Sequence, residues 1–109
     1  MALMHVDFFS DVLGMSMNMD VILPQKTSRQ IGMQGRAENG QYKTMYLLHG
    51  MSDDQTTWQR RTSIERYVSR LGIAVVMPTT HLGFYTDTTY GMRYWTFISE
   101  ELPRICREF

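Results

Sequence analysis

Tyr46 to Trp58 reads YLLHGMSDDQTTW. An apolar run stops on His49-Gly50, and the polar, acidic stretch Met51, Ser52, Asp53, Asp54 follows. At the C-terminal end of a parallel strand, backbone amides point into the crevice where ligands bind. A glycine there lets the chain turn sharply and lets a substrate approach the backbone. The next amide, that of Met51, is then placed to donate to a developing oxyanion. The dipeptide alone also fits a tight strand-to-loop turn with a hydrogen-bonded His49.

Other chemistries are poorly supplied. Ser52, Asp53 and His49 are neighbours, but a nucleophile, its base and an orienting group must meet at about 2.6–3.2 Å in a fixed order. Neighbours on one loop rarely hold that geometry. His5, His49 and His81 lie far apart, with no HxH or HxxxH spacing, so no metal site is expected. Met15, Met17 and Met19 read as thioethers filling one apolar face rather than as soft metal ligands. The single Cys106 lacks an evident activating base and reads as a small, partly buried thiol. Arg60-Arg61 reads as a solvated face. Gly32-x-x-Gly35 has the wrong context for a phosphate cradle. No cofactor is implied.

Composition narrows the classes further. The 109 residues fit one domain. With 43% hydrophobic and 20% charged residues, the chain reads as globular rather than disordered. Eleven basic residues balance eleven acidic ones, which gives no electrostatic reason for nucleic acid or an anionic membrane as a partner. No apolar run is long enough to span a bilayer. The N-terminus MALMHVDFF has neither a signal-peptide pattern nor a myristoylation glycine. One cysteine forms no internal disulfide, which favours a reducing, cytoplasmic setting.

These residues need elements to position them. Met4 to Phe9 has β-type composition, and Asp11 to Gly14 reads as a turn. Met15 to Leu23 alternates, with Ser16, Asn18 and Asp20 on the polar side and only Ile22 breaking the pattern. That predicts a strand with one wet face, paired antiparallel with the first. Gln25 to Lys43 reads as a loop, with a possible short strand near Ser28 to Met33. Thr44 to His49 and Ile73 to Met77 are apolar without alternation, as in strands covered on both faces. Between them, Thr62 and Glu65 have capping-box spacing. Ile64, Tyr67, Val68 and Leu71 form one apolar stripe, and Gly72 suits a left-handed helix end. This is a parallel βαβ unit. A long loop after Pro78 leads to a last helix, about Met92 to Glu108. Its apolar face is Tyr94, Ile98, Leu102, Ile105 and Phe109, with Glu100, Glu101, Arg104 and Arg107 largely on the wet side. Pro103 should kink or split it.

Taken in order, YLLHGM, Trp58, RRTSIERYV, AVVMP, GFYTDTTYG and EELP resemble the N-terminal half of the esterase D-like serine carboxylesterases of the α/β-hydrolase superfamily. The likeness is greatest to bacterial tributyrin esterases, with S-formylglutathione hydrolases and mycolyltransferases more distant. It runs from the MxxDFFS start to Phe109. It implies a partial α/β-hydrolase fold over 1–109: an antiparallel N-terminal hairpin, a parallel βαβ unit and a following helix. It implies that His49-Gly50-Met51 is the oxyanion loop, with the Met51 amide as donor and His49 structural. Asp53, Asp54 and Trp58 would shape the loop beside the site. Tyr85, Thr86 and Asp87 would line or brace the mouth of the acyl pocket.

The family's nucleophile sits in a G-x-S-x-G elbow on the next strand, with Asp and His further on. No G-x-S-x-G occurs here, and Gly50-Met51-Ser52-Asp53-Asp54 lacks the second glycine. None of the triad is present, and the chain alone is expected to be inactive. A small acyl ester would be its substrate only if a missing half complements it. The TMYLLH strand would then present an open sheet edge to a C-terminal fragment or to a second copy of the chain. The alternatives are a non-catalytic interaction module, or half of a thioesterase or acyltransferase.

Overall fold

The computed structural model of the chain describes residues 1–25, 29, 43–50, 52–80 and 93–108. Among these residues four strands form one mixed sheet in the order β1-β2-β4-β3. β1 (Ala2–Ser10) and β2 (Met15–Leu23) pair antiparallel along their whole length, from Ala2↔Leu23 to Ser10↔Met15. The turn closes with the Gly14 amide donating to the Ser10 carbonyl at 2.8 Å. Gly14 has φ 68, the left-handed region where glycine carries no Cβ penalty. β4 (Ala74–Pro78) lies antiparallel to β2 and parallel to β3 (Thr44–Tyr46). Two short helices, α1 (Thr57–Arg61) and α2 (Ile64–Val68), make the β3-to-β4 connection. The expected hairpin followed by a parallel βαβ unit is therefore present.

The middle of the sheet, β4 and the second half of β2, is covered on both faces. On one, Met17, Met19, Val21 and Val76 pack with Leu13, Phe97 and Leu102. Phe8 stacks on Phe97 with ring centroids 6.0 Å apart. On the other, Ile22, Val75 and Met77 pack with Ile64 and Val68. β4 is buried along its full length. This double cover explains why Ile22 breaks the alternation of β2. It also corrects the reading of Asp20 as a wet residue: it is 2% exposed.

Three further expectations change. The strand foreseen over Thr44 to His49 is regular only over Thr44–Tyr46 and is half-buried rather than covered on both faces. Thr62 does not cap the following helix; its hydroxyl donates to the Trp58 carbonyl and closes α1. The residue preceding α2 is Ser63, with no side-chain cap bond. Tyr67 and Leu71 face outward at 67% and 60% exposure, so only Ile64 and Val68 of that stripe reach the core. Gly72 does take the left-handed conformation, with φ 64.

The last helical run is α3 (Tyr94–Thr96), a π-helical turn (Phe97–Glu101) and α4 (Leu102–Glu108). Pro103 neither breaks it nor splits it. A wide turn precedes the proline, with the Leu102 amide reaching the Phe97 carbonyl five residues back. The extra residue brings both Glu101 (2% exposed) and Leu102 (0%) to the buried side. Glu101 was expected on the wet face. Instead its carboxylate enters the β1–β2 turn, accepting from the Ser10 hydroxyl and, at 3.0 Å, from the Val12 amide. Ser10 also accepts from the Leu13 amide at 3.1 Å. The possible strand near Ser28 to Met33, the loop after Thr80 and Phe109 lie outside the described residues.

The π turn thus latches the helix to the hairpin. Glu101→Ala leaves buried donors unpaired and is expected to destabilise the chain by about 2–3 kcal/mol. Urea unfolding against the parent chain measures this; a change near zero would contradict the latch.

Candidate active site

β3 gives out at Tyr46, but the chain stays beside β4 a little further, with the Leu47 amide donating to the Val76 carbonyl at 2.9 Å. His49 follows, 5% exposed. Its Nε2 accepts from the Thr80 amide at 3.0 Å. Its Nδ1 lies 2.7 Å from the Gly50 carbonyl. The Thr80 amide can only donate and the Gly50 carbonyl can only accept. The ring is therefore the neutral Nδ1–H tautomer, donating to Gly50 and accepting from Thr80. It bridges the C-terminal ends of the two parallel strands. With both nitrogens committed to backbone, it is not placed to take a proton from Ser52.

Gly50 itself is exposed and does not have a left-handed φ. Among the described residues, no atom lies within 4 Å of where a Cβ would stand. A left-handed φ is therefore not what the glycine supplies here, while among the described residues the space over its backbone is open. The left-handed residue is Ser52, φ 61. That conformation is uncommon for a residue with a side chain, and such residues cluster at functional sites.

The rest of the loop is braced by α1. Trp58 Nε1 donates to the Leu48 carbonyl at 3.0 Å. Asp54 Oδ1 accepts from the Thr56 amide at 2.9 Å and the Thr56 hydroxyl at 2.6 Å, an Asx-type start to the helix. Those two bonds, the hydroxyl's first, hold the Asp54 carboxyl below its ordinary range. Asp53 accepts from its neighbour's amide at 3.0 Å and pairs with Arg60; Arg61 stands 3.5 Å away. Arg60-Arg61 is therefore not merely a solvated face. Isolated surface pairs contribute little, but two cations on one carboxylate restrict where the loop sits.

The structure brings His49, Gly50, Ser52, Asp53, Asp54 and Trp58 onto one strand end and the helix beside it. Met51, His81, Tyr85, Thr86 and Asp87 lie outside the described residues. The Thr80 amide was not found from sequence, because a backbone partner 31 positions away leaves no residue-type signal. Among the described residues, no group of three or more His, Cys, Asp or Glu side chains could hold a metal ion. No described helix is long and apolar enough to cross a membrane. Cys106 lies against Met19, with 3.9 Å between the sulfurs, and burial pushes its thiol pKa up. Neither favours a reactive thiolate.

No family model matches the chain. An acetyl esterase of Caldicellulosiruptor saccharolyticus is 29% identical over 109 residues, covering 98% of this chain and 40% of that protein. The solved structure of FphF, a fluorophosphonate-binding serine hydrolase of Staphylococcus aureus, has a TM-score of 0.80 at 35% identity, over 99% of this chain and 41% of that one. An S-formylglutathione hydrolase of Agrobacterium tumefaciens has a TM-score of 0.80 at 19% identity, over 97% and 43%, a likeness of fold alone. The chain spans about two-fifths of the length of each relative. A hairpin leading into a parallel crossover, a His-Gly loop after the strand and these likenesses agree: over its length the chain is similar to the N-terminal portion of the esterase D-like α/β-hydrolases and has the fold of that portion.

Proposed function

We propose that the chain supplies the oxyanion loop and part of the acyl pocket of a serine carboxylesterase acting on short-chain acyl esters. The observation that carries this reading is the His49 bridge. A trans peptide directs its N–H opposite to its carbonyl. With the Gly50 carbonyl held by the imidazole, a trans peptide would turn the following N–H, that of Met51, away from the ring. It is then free to donate to the oxyanion formed when a serine attacks the ester carbonyl. Asp53, Asp54 and Trp58 keep the loop in place, and the resemblance assigns Tyr85, Thr86 and Asp87, which lie outside the described residues, to lining or bracing the mouth of the acyl pocket. The short acyl preference draws on the acetyl esterase relative. A cytoplasmic setting draws on the single Cys106.

The nucleophile, acid and base would come from a complementing segment. Among the described residues β3 is paired on one side only, by β4. That free edge is where a further parallel strand would add. The serine would form an ester bond to the acyl group as the alcohol leaves, and water would then release the acid.

A chimera tests this. Residues 1–109 replace the corresponding two-fifths of the S. aureus FphF chain, and hydrolysis of a short-chain nitrophenyl ester is followed. Met51→Pro removes the N–H and is expected to lower kcat by about 10²–10³-fold with KM little changed, while Met51→Ala stays near the parent. The 109-residue chain alone is expected to show no turnover and no fluorophosphonate labelling. Parental kcat in the Met51→Pro chimera, or a labelled serine within the chain alone, would overturn the proposal.

A further inference from the structure

Three consecutive residues of α1 each hold a different part of the fold. Trp58 holds the end of β3 through the Leu48 carbonyl, and Arg60 holds Asp53 in the loop. Between them, Gln59 Nε2 donates to Asp20 Oδ2 at 2.8 Å. The other oxygen, Oδ1, lies 2.7 Å from His5 Nδ1 on β1. Asp20 itself is 2% exposed. It pairs with His5 on one side and Met77 on the other, at the end of the apolar row Ile22, Val75, Met77.

A carboxylate in that place requires explanation. Taking it out of water is costly unless its oxygens are paired. Here one oxygen is served from the sheet edge and the other from α1. A five-residue helix has little stability of its own. Its position is set by what its side chains grip, and its position sets the loop's.

We propose that Asp20 is a positioning residue: through Gln59 it fixes α1, and hence the Ser52–Thr56 loop, with a strength set by the protonation of His5. That this loop serves an oxyanion rests on the function proposed above; the anchoring does not. Opening α1 lets water reach the Asp20 carboxylate. The drive to open is smaller when His5 is charged and larger when it is neutral. On this face of β1 and β2 the charged neighbours of His5 are Asp20 across the pair and Asp7 two residues along β1; α1 presents the neutral Gln59 amide. The hydrogen bond from Asp20, then its charge, raises the His5 pKa above its ordinary 6.5. The contribution is therefore present while His5 is charged and is lost as pH rises through that raised value.

Hydrogen exchange reads this directly. The Arg60 amide bonds to Thr56 and the Thr62 amide to Trp58, each at 3.0 Å, so their protection reports α1 opening. Between about pH 5.5 and about pH 8 their protection factors are expected to fall about twofold to fivefold relative to the β1–β2 ladder, the scale of a partly exposed ion pair. His5→Gln is expected to abolish the pH step. Gln59→Met is expected to lower protection at both pH values. An identical pH step in parent and His5→Gln, or parental protection in Gln59→Met, would overturn the proposal. Failure of the esterase reading would appear instead as an inactive chimera with this exchange pattern intact.

Discussion

One imidazole ring joins the two strand ends on which the site is built. His49 accepts a hydrogen bond from the Thr80 backbone and donates one to the Gly50 backbone. In a buried position each of those bonds is costly to leave unmade. The ring thereby fixes the separation of the β3 and β4 ends and orients the peptide that follows Gly50. Every other brace in the region works on the same loop from further out. Trp58 takes the Leu48 carbonyl, Asp54 starts α1, and Arg60 and Arg61 hold Asp53. Among the described residues, nothing stands within 4 Å of where a Gly50 Cβ would lie.

The sheet beneath is held by polar latches as well as by its two apolar faces. Asp20 and Glu101 are both carboxylates at 2% exposure, and both join elements distant in sequence. Asp20 ties β1, β2 and α1; Glu101 ties the last helix to the β1–β2 turn. Apolar contacts are non-directional and allow a helix to slide on a sheet. A carboxylate with both oxygens engaged does not. The π turn ahead of Pro103 shows what that costs locally, since one residue of regular α-helix is given up so that Glu101 and Leu102 both point inward.

What was legible in the sequence follows from how local each signal is. β2 was read over Met15–Leu23 because alternation is a local property, and the Asp11 to Gly14 turn because of its residue types. The β3 strand was legible from its apolar run, although it ends at Tyr46, three residues before His49. Asp20, Glu101, Tyr67 and Leu71 were misplaced because their burial depends on what packs over them. The Met19–Leu23 stretch did carry a clue, since Ile22 breaks the alternation just where the second face becomes covered. α1 was missed because five residues of TWQRR hold no complete apolar period; its anchors are side-chain hydrogen bonds.

The His49 bridge is tested most directly by the nitrogen-15 spectrum of its imidazole in the folded chain. The bridge requires the Nδ1–H tautomer, with an unprotonated Nε2 and a slowly exchanging Nδ1 proton. A ring protonated at Nε2, or one averaging between tautomers as a solvent-exposed histidine does, would contradict it.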